Sequence, residues 1–173
     1  MAGPASTGSL AADRVNAERW IRRFGGGVEP DDGASVDPGE HSVIVRPGRT
    51  APASPYVLYI HGGGMVYYST AVFEPFLRRL ANTLHAPVEA FEYLKAPEHT
   101  VEESVRRLGR HLAARCRTLA DRQLVLAGDS VGGLLALYLS LRALPGVFSR
   151  VVLIYPVLDL RTERESYRTF GAG

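Results

Sequence analysis

The hydrophobic positions of this chain change period several times, and each change marks an element. Near the start, Ala17, Trp20, Ile21 and Phe24 recur at three- and four-residue spacing within LAADRVNAERWIRRF. That spacing predicts a short helix, which the run Gly25 to Gly27 stops. The following VEPDDGASVDPGE reads as loop, and HSVIVRPG alternates like a half-buried strand. After the Pro-rich turn APASP, the unbroken apolar run Tyr56 to Ile60 is short enough for a strand buried on both faces.

Helical spacing returns from Thr70 to His85 through Phe73, Phe76, Leu77, Leu80 and Leu84, with Pro75 in a first turn where it is tolerated. APVEAFEY reads as a strand, and Val101, Val105, Leu108, Leu112, Cys116 and Leu119 mark a second amphipathic helix. RQLVLAG is another buried strand, residues 130 to 144 a helix apolar nearly all round, and RVVLIYPVLDL a last strand after the Pro145-Gly146 break. Continuous apolar strands alternating with helices predict an α/β fold, a three-layer α/β/α arrangement around a mostly parallel sheet.

Composition narrows the class. A chain of 173 residues, 46% hydrophobic, is long enough to bury one sizeable core. The formal charge is only +2, the single lysine is Lys95, and the arginines are scattered in pairs such as Arg22-Arg23 and Arg106-Arg107. No block of like charge points to nucleic acid or to an anionic membrane, and no apolar run reaches membrane-spanning length. Cys116 stands alone, so no intrachain disulfide and no cysteine-built metal site is expected, and a reducing, cytoplasmic setting fits best. Residues 1–40 are expected to form a mobile tail and a cap-type helix, and residues 41–173 a core domain.

The chemistry gathers around Ser130. GDSVGG contains G-x-S-x-G, Gly128 to Gly132, between a predicted strand and a predicted helix. At such an elbow the serine adopts a strained backbone conformation that exposes its hydroxyl above the sheet edge, and the small residues on either side allow the tight crossing. The helix that begins there aims its first amides and positive dipole end at the serine, with the Val131 N–H the natural oxyanion donor. Asp129 reads as a turn and helix-start residue. A second group, HGGGM from His61 to Met65, follows a buried strand, and its glycines let backbone amides approach a ligand oxygen. Gly62 and Gly63 are the expected donors, with Gly64 in support.

HGGGM, YLKAPEH (Tyr93 to His99), GDSVGG and YPVLDL (Tyr155 to Leu160), in this order, resemble the N-terminal part of α/β-hydrolases of the hormone-sensitive lipase type. The resemblance implies the α/β-hydrolase fold and a serine carboxylesterase or lipase that acts on a small-molecule ester substrate by acyl transfer, with no cofactor and no metal. Carried onto this chain, it makes Ser130 the nucleophile, the amides of Gly62, Gly63 and Val131 the oxyanion hole, and His61 a ring that holds the glycine loop and is not the base. Glu98 then satisfies backbone groups of nearby loops, while Met65 and Tyr68, unusual for the motif, reshape the substrate pocket.

One part of the pattern is missing. In α/β-hydrolases the chain order is Ser, then Asp or Glu, then His. After Ser130 stand three acids, Asp159, Glu163 and Glu165, and no histidine, because all five histidines, at 41, 61, 85, 99 and 111, come earlier. His111 lies off the buried stripe of its helix, facing solvent, and His85 ends a helix. The chain thus reads as part of a hydrolase whose acid and base lie elsewhere. The alternative is an inactive hydrolase-like module that binds a small molecule, or a subunit completed by another chain. The apolar last strand would leave an unpaired edge that calls for cover by a second copy or a partner chain.

Overall fold

A computed structural model of the protein describes residues 6–24, 32–159, 165 and 169. Helix α1 (Leu10–Phe24) is followed by strands β1 (Ser35–Pro38), β2 (Ser42–Arg46) and β3 (Tyr56–Ile60), a 3₁₀ turn at Thr70–Val72, helix α2 (Glu74–Leu84), strand β4 (Val88–Phe91), helix α3 (Val101–Thr118), strand β5 (Leu124–Asp129), helix α4 (Val131–Arg142) and strand β6 (Arg150–Ile154). The strands form one sheet in the order β1-β2-β4-β3-β5-β6. The four strands from β4 to β6 run parallel, and β1 and β2 are an antiparallel border. This is the mostly parallel, three-layer α/β arrangement.

Period-two alternation along β3 builds both outer layers. Tyr56, Leu58 and Ile60 pack with Leu108, Leu112, Leu135 and Leu139 of α3 and α4. Val57 and Tyr59 point the other way, toward Leu77 and Ala81 of α2. A strand covered on both faces has no polar side to display, so its sequence reads as unbroken apolar residues. Cys116 lies inside the first cluster, a small buried apolar residue.

The differences from expectation have physical causes. The stretch from Thr70 to His85 is not one helix: Pro75 has no N–H for a carbonyl one turn back, so a 3₁₀ turn comes first and α2 starts afresh at Glu74. The stretch expected as loop contains β1, which pairs with β2 from Ser35 against Arg46 to Pro38 against Val43. A proline fits an outer strand whose N–H side faces no partner. Strand β1 belongs to the same sheet as the strands that follow it. Strand β6 ends at Ile154, ahead of Pro156.

Val101 begins α3 half-exposed and is not on its buried stripe. His111 does not face open solvent: its ring stacks on His41, with centroids 4.1 Å apart, and burial, helped by the neighbouring His41 charge, lowers its pKa. At the other end of the chain, residues 6–9 are not a free tail. Ser6 and Thr7 donate three hydrogen bonds of 2.6–2.7 Å to the Asp13 carboxylate and tie down the start of α1. The rest of the expected tail, residues 1–5, and the glycine run 25–27 lie outside the described residues.

Candidate active site

The site forms where β3 and β5, neighbours in the sheet, end side by side with Ile60 opposite Gly128. At the end of β5 the chain reverses direction through Ser130, whose backbone sits at φ 51°, ψ −122°. A residue with a side chain holds that conformation only where its surroundings impose it. Here they do. The Ser130 N–H donates to the Ile154 carbonyl at 3.0 Å, and the Ser130 carbonyl accepts from Val157 at 3.1 Å, so the end of β6 grips the elbow from one side. On the other side, a Cβ on Gly132 would stand 2.2 Å from the Ile60 carbonyl oxygen, and only glycine lets the first turn of α4 press this closely onto β3.

Ser130 is half-buried, and its hydroxyl makes no hydrogen bond among the described residues. Val131 is the first residue of α4, so no intrahelical carbonyl lies one turn back for its N–H. Gly62 lies against the serine: a Cβ built on Gly62 would come 3.2 Å from Ser130 Cβ. The HGGGM loop therefore borders the elbow in space.

The glycine loop is held from below. Asp129, 5% exposed at the end of β5, accepts the Gly62 N–H at 2.8 Å and the Tyr59 hydroxyl at 2.7 Å on the same oxygen. Burial and then the Asp129 charge push the Tyr59 hydroxyl well above its ordinary range, so it stays protonated and donates. Expected at the helix start, Asp129 instead takes these contacts because a carboxylate buried at the end of a largely buried strand has to be paired. The Gly62 N–H, expected as an oxyanion donor, is engaged by this carboxylate in the unliganded arrangement. The amides of Gly63 and Gly64 have no acceptor among the described residues.

His61 is fully buried beneath the loop. Its Nδ1 donates to the Gly62 carbonyl at 2.6 Å, its ring stacks on Tyr93 at 4.4 Å, and the Tyr93 hydroxyl donates to the same carbonyl at 3.0 Å. The His61 Nε2 faces Glu92 at 3.4 Å. Burial alone would raise the Glu92 carboxyl, but the His61 ring, the paired Lys95 ammonium and the Thr70 N–H together hold it down at about 2. Glu98 departs from expectation, binding the Arg14 guanidinium of α1 through both oxygens at 2.7 and 2.8 Å. Met65 is buried in the core on the α4 side.

Tyr59, Tyr93, Glu92 and Arg14 belong to this assembly and were not singled out from the sequence. A tyrosine inside a buried run, as in YVLYI, is the available signal, because its hydroxyl requires a partner. None of the five histidines hydrogen-bonds Ser130. Glu163 lies outside the described residues, and Glu165 is exposed. A cavity of about 280 Å³ is lined by Ile21, Phe73, Phe76, Tyr59 and Tyr155, and the last two donate their hydroxyls to Asp129.

A family model described as the alpha/beta hydrolase fold matches residues 57–173. The chain belongs to the α/β hydrolases. Among them it is of the hormone-sensitive-lipase-like esterase type. It is similar to the ethyl acetate hydrolase of Pseudomonas putida, 31% identical over an alignment of 157 positions that covers 76% of this chain and 48% of that protein. It is also similar to the hormone-sensitive lipase of Mus musculus, 31% identical over 134 residues, 71% of this chain and 17% of that protein. The crystal structure of a hormone-sensitive lipase from a metagenome library superposes with a TM-score of 0.81 at 23% identity, over 96% of this chain and 57% of that one, a likeness of fold. This hydrolase chain spans less than half the length of either curated relative. Among its described residues no helix is long and apolar enough to cross a membrane.

Proposed function

We propose that this α/β hydrolase carries the nucleophile and oxyanion hole of a serine carboxylic ester hydrolase. The observation that supports the reading best is the strained Ser130 backbone, which presents a hydroxyl without a hydrogen-bond partner among the described residues, at a helix N-terminus beside the glycine loop. Strain of this kind persists where the surroundings over-determine it, and it clusters at working sites.

In the proposed reaction, Ser130 Oγ attacks the ester carbonyl carbon while a base takes its proton. The carbonyl electron pair moves onto oxygen, which the N–H groups of Gly63, Gly64 and Val131 receive; each such donor is worth about 2.7–4 kcal/mol of transition-state stabilisation. The tetrahedral centre collapses and expels the alcohol, protonated by the same base, to leave an acyl-enzyme on Ser130. Water repeats the sequence and releases the acid. The base and its acid partner are supplied from outside the described residues.

The direct test is hydrolysis of p-nitrophenyl acetate and butyrate by the protein in the assembly that supplies the base and by its Ser130→Ala variant, short esters being chosen because one relative is named for ethyl acetate. Turnover that disappears in the variant supports the reading. Turnover that survives Ser130→Ala contradicts it. The second reading, a hydrolase-like module that binds a small molecule without turnover, draws on the absence of any histidine from hydrogen-bond contact with Ser130. It predicts saturable ligand binding with no ester cleavage.

A further inference from the structure

We propose that Arg14 of α1 is a positioning residue for the oxyanion loop, so that the docking of α1 sets how firmly the Gly63 and Gly64 amides are held. The inference rests on the oxyanion reading above and adds to it a residue from outside all four motifs.

The loop cannot hold its own shape. Gly63, Gly64, Met65 and Tyr68 all have positive φ, at 124°, 63°, 65° and 66°. Two of the four carry side chains, each costing roughly 1–2 kcal/mol in that region of backbone space. Internally the loop has only the Gly63 carbonyl accepting from Val66 and Tyr67, at 3.0 and 2.8 Å. The remaining restraint comes from neighbours. Asp129, His61 and Tyr93 fix its start at Gly62, and the Ala96 N–H donates to the Met65 carbonyl at 2.8 Å.

Its far half is held by α1. Arg14 Nε donates to the Val66 carbonyl at 2.8 Å, Nη2 to the Ala96 carbonyl at 2.7 Å, and Nη1 and Nη2 to the two Glu98 oxygens. One turn later on the helix, Glu18 accepts the Ser69 hydroxyl at 2.9 Å. A lone surface ion pair would hold little. This one is different because the planar guanidinium joins a carboxylate and two backbone carbonyls, from segments thirty residues apart, in a single fixed geometry. One of those carbonyls, Val66, lies two residues beyond Gly64. Amide donors stabilise an oxyanion only when held at their working positions, so loosening Val66 degrades the hole without removing a donor.

The experiment compares the full-length protein with Arg14→Gln, Arg14→Lys and Glu98→Gln. Amide hydrogen exchange of the peptide covering residues 63–68 needs no activity. Arg14→Gln is expected to speed it about tenfold or more while peptides from β5 and α4 keep their protection. In the active enzyme, kcat is expected to fall roughly ten- to thirtyfold, less than the loss of a whole donor, with KM within about threefold. Affinity for a boronic acid, which forms a tetrahedral adduct on the serine with an oxygen in the hole, should weaken in proportion. Arg14→Lys, a point charge without the fork, should restore less than half of the loss, and Glu98→Gln, which leaves both carbonyl bonds in place, should have the smallest effect. Unchanged exchange at 63–68 overturns the inference, as does a lower melting temperature with kcat and boronate affinity intact. A wild-type protein that shows no turnover but in which Arg14→Gln loosens the loop would instead count against the esterase reading.

Discussion

Asp129 Oδ1 accepts the Gly62 amide at 2.8 Å, joining the end of β5 to a glycine loop 67 residues earlier in the chain. The same oxygen takes the Tyr59 hydroxyl, so one carboxylate next to Ser130 in the chain fixes the two strand ends that form the site. Asp129→Ala leaves a buried amide and a buried hydroxyl without acceptors, at about 1–3 kcal/mol each. Urea unfolding should show a loss of about 2–5 kcal/mol, and Asp129→Asn, which still offers one acceptor oxygen, a smaller one. Equal stability of the wild type and Asp129→Ala would show that the clamp carries no energy.

The glycines of the site separate into two kinds. A methyl group on Gly132 would meet the carbonyl oxygens of Ile60 and His61 at 2.2 and 2.5 Å, both rigid backbone. Gly132→Ala should cost more than about 4 kcal/mol and cause misfolding. Gly64 has open space around it and a φ of +63°, so Gly64→Ala is charged only the backbone penalty of roughly 1–2 kcal/mol. Soluble yield and urea midpoints of the two variants measure the contrast.

Glu92 predicts how the fold responds to acid. Its carboxyl stands at about 2 in the fold against an ordinary 4.5, so its pairing stabilises fully above pH 4.5, and the contribution fades as pH falls from there through about 2. Thermal midpoints measured from pH 7 to pH 2 should drop in that window for the wild type and drop less for Glu92→Gln. Parallel curves would mean that the His61, Lys95 and Thr70 contacts do not hold the carboxylate.

Away from the site, Glu89 is a second buried carboxylate, 3% exposed on β4, bonded by Arg115 at 2.6 Å, Tyr56 at 2.8 Å and Ser42 at 2.8 Å. Burial, with the Glu89 charge behind it, pushes the Tyr56 hydroxyl to about 12. Arg115→Ala strands the carboxylate without its cation and should cost about 3–5 kcal/mol of stability. Because the network touches neither Ser130 nor the glycine loop, the ester hydrolysis proposed above should be unchanged per folded molecule.

The motifs were legible because each imprints a local pattern. Tyr56–Ile60 and Leu124–Asp129 read as strands from continuous apolarity, and the elbow from G-x-S-x-G at a strand-to-helix junction. Strand β1 was not, since SVDP is four residues at a sheet edge, stabilised by pairing with β2 and not by its own propensity. Nor were the holding contacts. Asp129 to Gly62 spans 67 residues and Arg14 to Glu98 spans 84, and no local periodicity encodes which buried acid meets which amide. The sequence signal for such residues is negative: a charge or hydroxyl where burial demands a partner.

The most direct measurement of the central claim is peptide mass spectrometry of the protein, in the assembly that supplies the base, after exposure to a fluorophosphonate, which reacts with an activated serine. The account predicts a single phosphonyl adduct on the peptide carrying Ser130, absent when the protein is denatured first. A folded protein that remains unlabelled at Ser130, or takes the label on another residue, would contradict it.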